Sequence, residues 1–363
     1  MGTIGAMRLL SEESRGARGE GVCAVVGISS SQSGIELFST CPPSYGYDRE
    51  EYLEHVERVA EWSDDAGYRG TLIYTDNRLV DPWLVAQLVL QRTRTLCPLV
   101  AVQPLYMHPY AGAKMVATLA FLHGRRVFLN LLAGGFKNDL VALGDDTPHD
   151  ERYDRTVEYA QVVRALLTGS SGVSFAGRYY TLAGATMEPA LPEELFPGIL
   201  ISGSSDAGLA AARAIGATAI RYPGPPSEVD ERVLDVAAGI RVGVIARETD
   251  AEAWEVAYDR FPDDRRGQIA HALAMRTSDS QWHGQLSSLA EQPSTGAYWL
   301  HPFKNYRTFC PYLVGSYERV GNELARYYEL GFTTFIFDVP PSREEFEFID
   351  RTLSLVTDRL VTA

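Results

Sequence analysis

Four groups of residues carry types and spacings suited to chemistry. The first is Ile201-Ser202-Gly203-Ser204-Ser205-Asp206, where an apolar run ends and a helical stretch begins. A glycine there lets a ligand approach the backbone. Free amides and the helix dipole favour an anion, and the hydroxyls add donors. This suits a phosphate, although the same residues also make an ordinary Ser/Asp helix cap. The second is Asn130-Leu131-Leu132-Ala133-Gly134-Gly135. Asn130 is either a core-facing amide satisfied by backbone or, with the paired glycines, part of a space for a flat ring. The third is Glu151-Arg152-Tyr153, whose tyrosine either reaches a phosphate or packs on a helix face. The fourth is Arg241, inside the apolar run Gly239-Ile240-Arg241-Val242-Gly243-Val244. A buried guanidinium must be compensated, so Arg241 either binds an anion or forms an internal ion pair.

These groups need elements to hold them. Short apolar, β-branched runs predict eight strands: Ile35–Ser39, Gly70–Thr75, Leu99–Gln103, Val127–Leu132, Gly198–Ser202, Ala217–Tyr222, Ile240–Ala246 and Thr333–Asp338. Continuous apolar runs suit parallel strands buried on both faces, and the helical stretches between them suit βαβ units. Helix starts are marked by Asp48 with Glu51, by Asp81-Pro82, by Thr249-Asp250 and by Ser316, and Gly331 marks an end. Repeated βα units, without the early Gly-rich turn of a dinucleotide fold, predict a closed (β/α)8 TIM barrel with insertion loops. Two connections are long. One, about 169–197, carries the hairpin-like Val173 to Tyr180. The other, about 262–311, holds Trp282, His283, Tyr298, Trp299, His301 and Arg307. Long connections in compact domains are usually functional, so 262–311 is expected to form a lid, the other possibility being a helical addition packed outside the barrel. Residues 1–33, rich in Gly, Ser and charge, are expected to be a flexible extension, with the barrel spanning 34–363.

The 363 residues, 45% hydrophobic and 22% charged, are globular in composition, and the net charge of −14 disfavours nucleic-acid binding. The four cysteines form no CxxC pair, as expected of reduced thiols in a cytoplasmic protein. The most apolar stretch, Trp83 to Leu90, is too short to span a bilayer. No histidine spacing suggests a metal, and neither a GxSxG elbow nor a GxxxxGK[ST] loop occurs.

Taken in order, Asp81-Pro82-Trp83-Leu84-Val85-Ala86, Asn130 to Gly134, Glu151-Arg152-Tyr153 with Gln161-Val162-Val163, Gly203-Ser204-Ser205-Asp206, Pro225-Pro226, and Ile240-Arg241 through Trp254 resemble one family. It is the bacterial-luciferase-like flavin monooxygenases, and within it the alkanesulfonate monooxygenases. The resemblance covers about Ile35 to Leu355 and is weakest between Pro262 and Pro311. It implies a TIM barrel that takes reduced FMN from a separate flavin reductase and uses dioxygen to oxygenate a small, possibly anionic substrate. It also implies a homo-oligomer, dimer or tetramer. By motif match, Tyr153, Gly203, Ser204 and Ser205 correspond to the FMN phosphate site. Thr75, Asn130 and Tyr222 correspond to groups around the flavin ring, and Arg241 to an active-site arginine.

The sequence departs from the sulfonate enzymes elsewhere. Gly243 stands where they carry a histidine after the strand-7 arginine, Cys41 where they carry one after strand 1, and Leu79 in place of a cysteine. Pro340-Pro341-Ser342 replaces a Tyr-Pro-His, and Arg307 or Lys304 stands in for the mobile-loop arginine. The flavin half of the pattern is kept and the substrate half replaced, which implies the same oxygen chemistry on another substrate. Arg241, Cys41 and Arg307 are the expected catalytic residues, Cys41 because it follows the first strand at the rim. A deazaflavin-dependent hydride-transfer enzyme and a flavin-binding relative without catalysis are the competing readings.

Overall fold

The computed structural model describes residues 34–362 except 170, 230–235, 277 and 292–295, so the expected extension 1–33 lies outside the described residues. Twelve strands and twelve α-helices follow one another along the described chain. Eight strands run parallel in chain order: β1 (Glu36–Thr40), β2 (Gly70–Ile73), β3 (Cys97–Val102), β4 (Phe128–Leu132), β7 (Ile199–Ser202), β8 (Thr218–Arg221), β9 (Ala238–Arg247) and β12 (Phe332–Phe337). Pairing of β12 with β1 closes them into a barrel. The expected hairpin is β5 (Val173–Ala176) with β6 (Thr181–Ala185), an antiparallel pair on the way from β4 to β7.

Local sequence explains the helix ends. Asp48 and Glu51 close a capping box on α1 (Arg49–Asp65), and Asp81 caps α2 (Pro82–Arg92) ahead of its first-turn proline. The helix α3 (Pro109–His123) follows β3; α4 (Lys137–Ala142) and α5 (His149–Thr168) follow β4. Ser205 caps α6 (Asp206–Ile215), and Thr249 with Glu252 caps α7 (Asp250–Arg260). Then come α8 (Arg265–Met275), α9 (Gln281–Leu289), β10 (Tyr298–Trp299), α10 (His301–Lys304) and β11 (Tyr312–Ser316). Ser316 caps α11 (Tyr317–Glu329), and Gly331 beyond it has a φ of 91°. The last helix is α12 (Glu344–Thr362).

Side chains alternate across a strand, which divides the apolar residues into two bodies. Phe38, Leu72, Leu99, Phe128, Leu200, Ile220 and Ile336 point inward and fill the barrel floor. Phe38 and Phe128 meet edge to face there, with ring centroids 5.3 Å apart, an arrangement that contributes about 0.5–1.5 kcal/mol beyond area burial. Their sequence neighbours Leu129, Leu131, Ile199, Ile201, Phe335 and Phe337 face outward and join the larger core under the helices.

One strand is longer than sequence predicts. The first half of β9 closes the barrel against β8 and β12, and its second half, Gly243 to Arg247, pairs with β11. The small β9–β11–β10 sheet thus carries the long insertion back to the barrel.

Candidate active site

Two residues above the floor, the same alternation produces a polar layer. Tyr74, Ala101, Asn130, Ser202, Tyr222, Arg241 and Asp338 succeed Leu72, Leu99, Phe128, Leu200, Ile220, Gly239 and Ile336 on the inward face. They form the base of a cavity of about 750 Å³ at the C-terminal ends of the strands, where barrels of this kind carry their chemistry. Thr75, Asn130, Tyr153, Tyr222, Arg241 and Arg307 all line it.

One side is built from serines. Ser202 Oγ donates to Asn130 Oδ1 at 2.9 Å and lies beside the Tyr222 hydroxyl, whose pKa burial raises. Ser205 Oγ accepts from the amide of Gly208 at 3.1 Å, so it is a working helix cap. The Tyr153 hydroxyl lies beside it, and burial raises the pKa of that phenol. Tyr153 lies on α5, lines the cavity and touches Gly203: a Cβ on Gly203 would stand 2.4 Å from the Tyr153 oxygen. Glycine is therefore required by close packing. The Ser204 hydroxyl is different, being buried with no hydrogen-bond partner. Leaving a hydroxyl in that state costs about 1–3 kcal/mol, and a phosphate at the start of α6 would remove the cost. Gly203, Ser204 and Ser205 are not themselves cavity wall; Tyr153 and Ser202 join them to it.

The opposite side is built around Arg241, 2% exposed on β9. Its Nη2 meets Asp338 Oδ1 at 3.2 Å, and its guanidinium carbon lies 4.5 Å from the centre of the Tyr74 ring and 5.9 Å from that of Tyr222. Asp338 Oδ2 accepts from Thr308 Oγ1 at 2.5 Å and from the Tyr312 hydroxyl at 2.9 Å. Burial pushes the Tyr312 phenol well above its usual range, and the Asp338 charge pushes it further. Tyr312 also explains Gly243. The two residues are opposed in the β9–β11 register, and a Cβ on Gly243 would lie 2.3 Å from the Tyr312 ring. Of the two alternatives for Arg241, the structure shows the internal ion pair, placed on the cavity wall.

Segment 262–311 covers a third side. Trp282 stacks on Tyr222 with centroids 3.8 Å apart. His283 beside it is 0% exposed, and neither ring nitrogen has a partner; burial, reinforced by His271, pulls its pKa down to about 4. Arg152 on α5 reaches Asp279 at 2.7 Å, tying the segment to the barrel. Arg307 lines the cavity but pairs with Asp264 at 2.7 Å and is exposed. Lys304 pairs with Glu291 and is not part of the wall.

Cys41, expected at the rim, is 2% exposed within the main core, and burial raises its thiol pKa. Pro42 and Pro43 take the wall position. The reason is register. Phe38 points inward and Ser39 outward, bonded to Ser63 of α1, so Cys41 falls on the Ser39 side. Sequence reading passed over Asp338, Tyr74 and Tyr312. For the first two a signal existed: each follows an inward apolar residue at a spacing of two. Tyr312 had none, because β11 is placed by pairing with β9 and β10 across the chain. Among the described residues no group of His, Cys, Asp and Glu could hold a metal ion, and no helix is long and apolar enough to cross a membrane.

Comparison with known proteins places this geometry. The profile of the family described as Luciferase-like monooxygenase matches residues 34–334. The 4-(gamma-L-glutamylamino)butanoyl-[BtrI acyl-carrier protein] monooxygenase BtrO of Niallia circulans is 34% identical over 328 residues, which cover 87% of this chain and 96% of that protein. Among solved structures, the EDTA monooxygenase of Chelativorans sp. BNC1 superposes with a TM-score of 0.71 at 16% identity, covering 90% of this chain and 94% of that one. An F420-dependent secondary alcohol dehydrogenase shares the fold at a TM-score of 0.62 and 15% identity, covering 89% of this chain and 99% of that one.

Proposed function

The chain belongs to the luciferase-like monooxygenase family, and on that premise we propose that it is the oxygenating component of a two-component system. It takes reduced FMN from a separate reductase and oxygenates an acyl group presented as a carrier-protein thioester. The observation that carries the flavin reading is the buried, partnerless Ser204 hydroxyl at the start of α6, beside a cavity floored by Asn130, Ser202 and Tyr222. Ser204 with the first amides of α6 would hold the phosphate, with Tyr153 packed beside them against Gly203 and Gly208. When bound, the reduced flavin supplies the two electrons that let one atom of dioxygen enter the substrate while the other leaves as water.

The carrier-protein reading is supported by the relative from Niallia circulans, whose name states that it acts on an acyl group on such a protein. Within the cavity, Thr75 and Asn130 border the ring space, and Trp282 on Tyr222 walls it from the insertion. Segment 262–311 acts as a lid, with Arg307 at its edge bonded to Asp264 within the segment, and the Arg152–Asp279 pair tying it to the barrel. Excluding water there strengthens each polar contact below it.

The test is incubation of the protein with a flavin reductase, FMN, dioxygen and an acyl-pantetheine thioester. The expected product is the thioester heavier by one oxygen atom, with oxygen consumed. Reduction of a deazaflavin without oxygen uptake would instead assign hydride transfer. Sulfite release from a medium-chain alkanesulfonate as fast as thioester oxygenation would replace the acyl substrate by a sulfonate.

A further inference from the structure

We infer that Asp338 sets the charge specificity of the cavity: by pairing with Arg241 it turns that residue into a hydrogen-bond donor for a neutral carbonyl and denies the site to anions. An arginine facing a cavity is ordinarily an anion receptor, because its fork matches carboxylate, sulfonate and phosphate. Here the compensating charge is already present, within the protein and on the same wall.

The arrangement is built as a unit. Ile336 pairs with Arg241 in the β12–β9 register, and alternation brings Asp338 up on the inward face, where its amide donates to Val242. Both charged side chains are buried, Arg241 at 2% and Asp338 at 9% exposure. Asp338 is held from two further directions, by Thr308 at the end of the insertion and by Tyr312 on β11. The formal charges of the Arg241–Asp338 pair cancel, so an arriving anion would meet the carboxylate as well as the guanidinium. The Tyr74 and Tyr222 rings flank the guanidinium and carry no charge to offset this.

Arg241 nonetheless keeps donor capacity, since its Nε is buried without a partner. A carbonyl oxygen satisfies such a donor without bringing a charge. Thioesters and amides both offer one, and so does a flavin ring. The inference rests on the proposed oxygenase only for which of these carbonyls is meant, and its test needs no turnover.

The experiment measures binding of two probes of equal chain length, octanamide and octanesulfonate, to the full chain with and without FMN. The wild-type protein is expected to bind octanamide at least tenfold more tightly. Asp338→Asn keeps an acceptor for Thr308 and Tyr312 but frees the guanidinium charge, and should shift that ratio by tenfold or more toward the sulfonate. Wild-type protein that prefers the sulfonate, or a ratio unmoved by Asp338→Asn, overturns the inference. If FMN competes with octanamide, the carbonyl is the flavin's; if the two bind together, it is the substrate's; both support the neutral site. Should Asp338→Asn fail to fold, the double variant Arg241→Gln, Asp338→Asn removes both charges. It should keep the wild-type ratio within about threefold, and a loss of sulfonate binding relative to wild type would show Arg241 to be an anion site after all. Failure of the oxygenase reading shows separately, as absent oxygen uptake with both probe affinities unchanged.

Discussion

The serine side and the arginine side of the cavity solve the same problem in opposite ways. Both place polar groups at the base of a buried space, where an unmet donor or charge is costly. On the arginine side the protein supplies the countercharge: Asp338 pairs with Arg241 and accepts from Thr308 and Tyr312, although the Arg241 Nε keeps no partner. On the serine side Ser202 bonds Asn130 and Ser205 caps α6, but the Ser204 hydroxyl is left over. The leftover Ser204 hydroxyl, behind the wall, is where we propose that a ligand phosphate binds, and the Arg241–Asp338 pair is where we propose that the cavity's charge is set.

The largest effect expected is on the arginine side. Asp338→Ala leaves a buried guanidinium without its partner, and breaking such a pair costs about 3–5 kcal/mol. Urea unfolding of the variant measures this. A loss under about 1 kcal/mol would mean that the pair is solvated and that the contrast between the two sides is false.

Gly243→Ala probes the same side by shape. Its methyl would enter the Tyr312 ring, and overpacking of that kind costs about 1–3 kcal/mol. Unchanged thermal stability would show that Tyr312 swings away freely, and that its bond to Asp338 constrains nothing.

The serines sharpen the comparison, because two neighbours should fail differently. Ser204→Ala removes a hydroxyl that bonds nothing, so folding stability should hold or rise. FMN affinity should fall about tenfold, or about 1.4 kcal/mol, while riboflavin, lacking the phosphate, binds as before. Equal weakening toward both ligands would remove the phosphate from this site. Ser205→Ala should instead cost about 1 kcal/mol of stability, as loss of a helix cap does.

The smallest effect belongs to Cys41. Its thiol is buried in the core and its pKa is raised by desolvation, so a small alkylating reagent should label it slowly and at the same rate with or without FMN. Protection by FMN would return the thiol to the cavity wall and contradict the outward-facing register of Cys41 after β1.

Much of the fold was readable in advance because its determinants are local. Runs such as Leu99 to Val102 and Leu129 to Leu132 are apolar enough to be strands buried on both faces, and Asp48, Asp81, Thr249 and Ser316 mark helix starts by their own hydrogen bonds. The cavity was half readable. Asn130, Tyr153, Tyr222 and Arg241 stand on its wall, since each sits on or just after a barrel strand, or at a helix start, that local sequence marks. Cys41 shows the limit: a position one residue along a strand changes face, and sequence spacing alone left that parity open.

By itself the sequence determined the barrel, its strand order, the capped helices and the presence of an arginine within the seventh barrel strand. All of these follow from periodicity and from interactions spanning a few residues. Only the tertiary structure decided what that arginine means. Its partner Asp338 lies 97 residues away, and that carboxylate is held in turn by Thr308 and Tyr312 from the insertion. Whether a buried charge is a receptor or a closed pair depends on what the fold brings within about 3 Å of it, and Coulomb and hydrogen-bond energies depend on distance in space rather than along the chain.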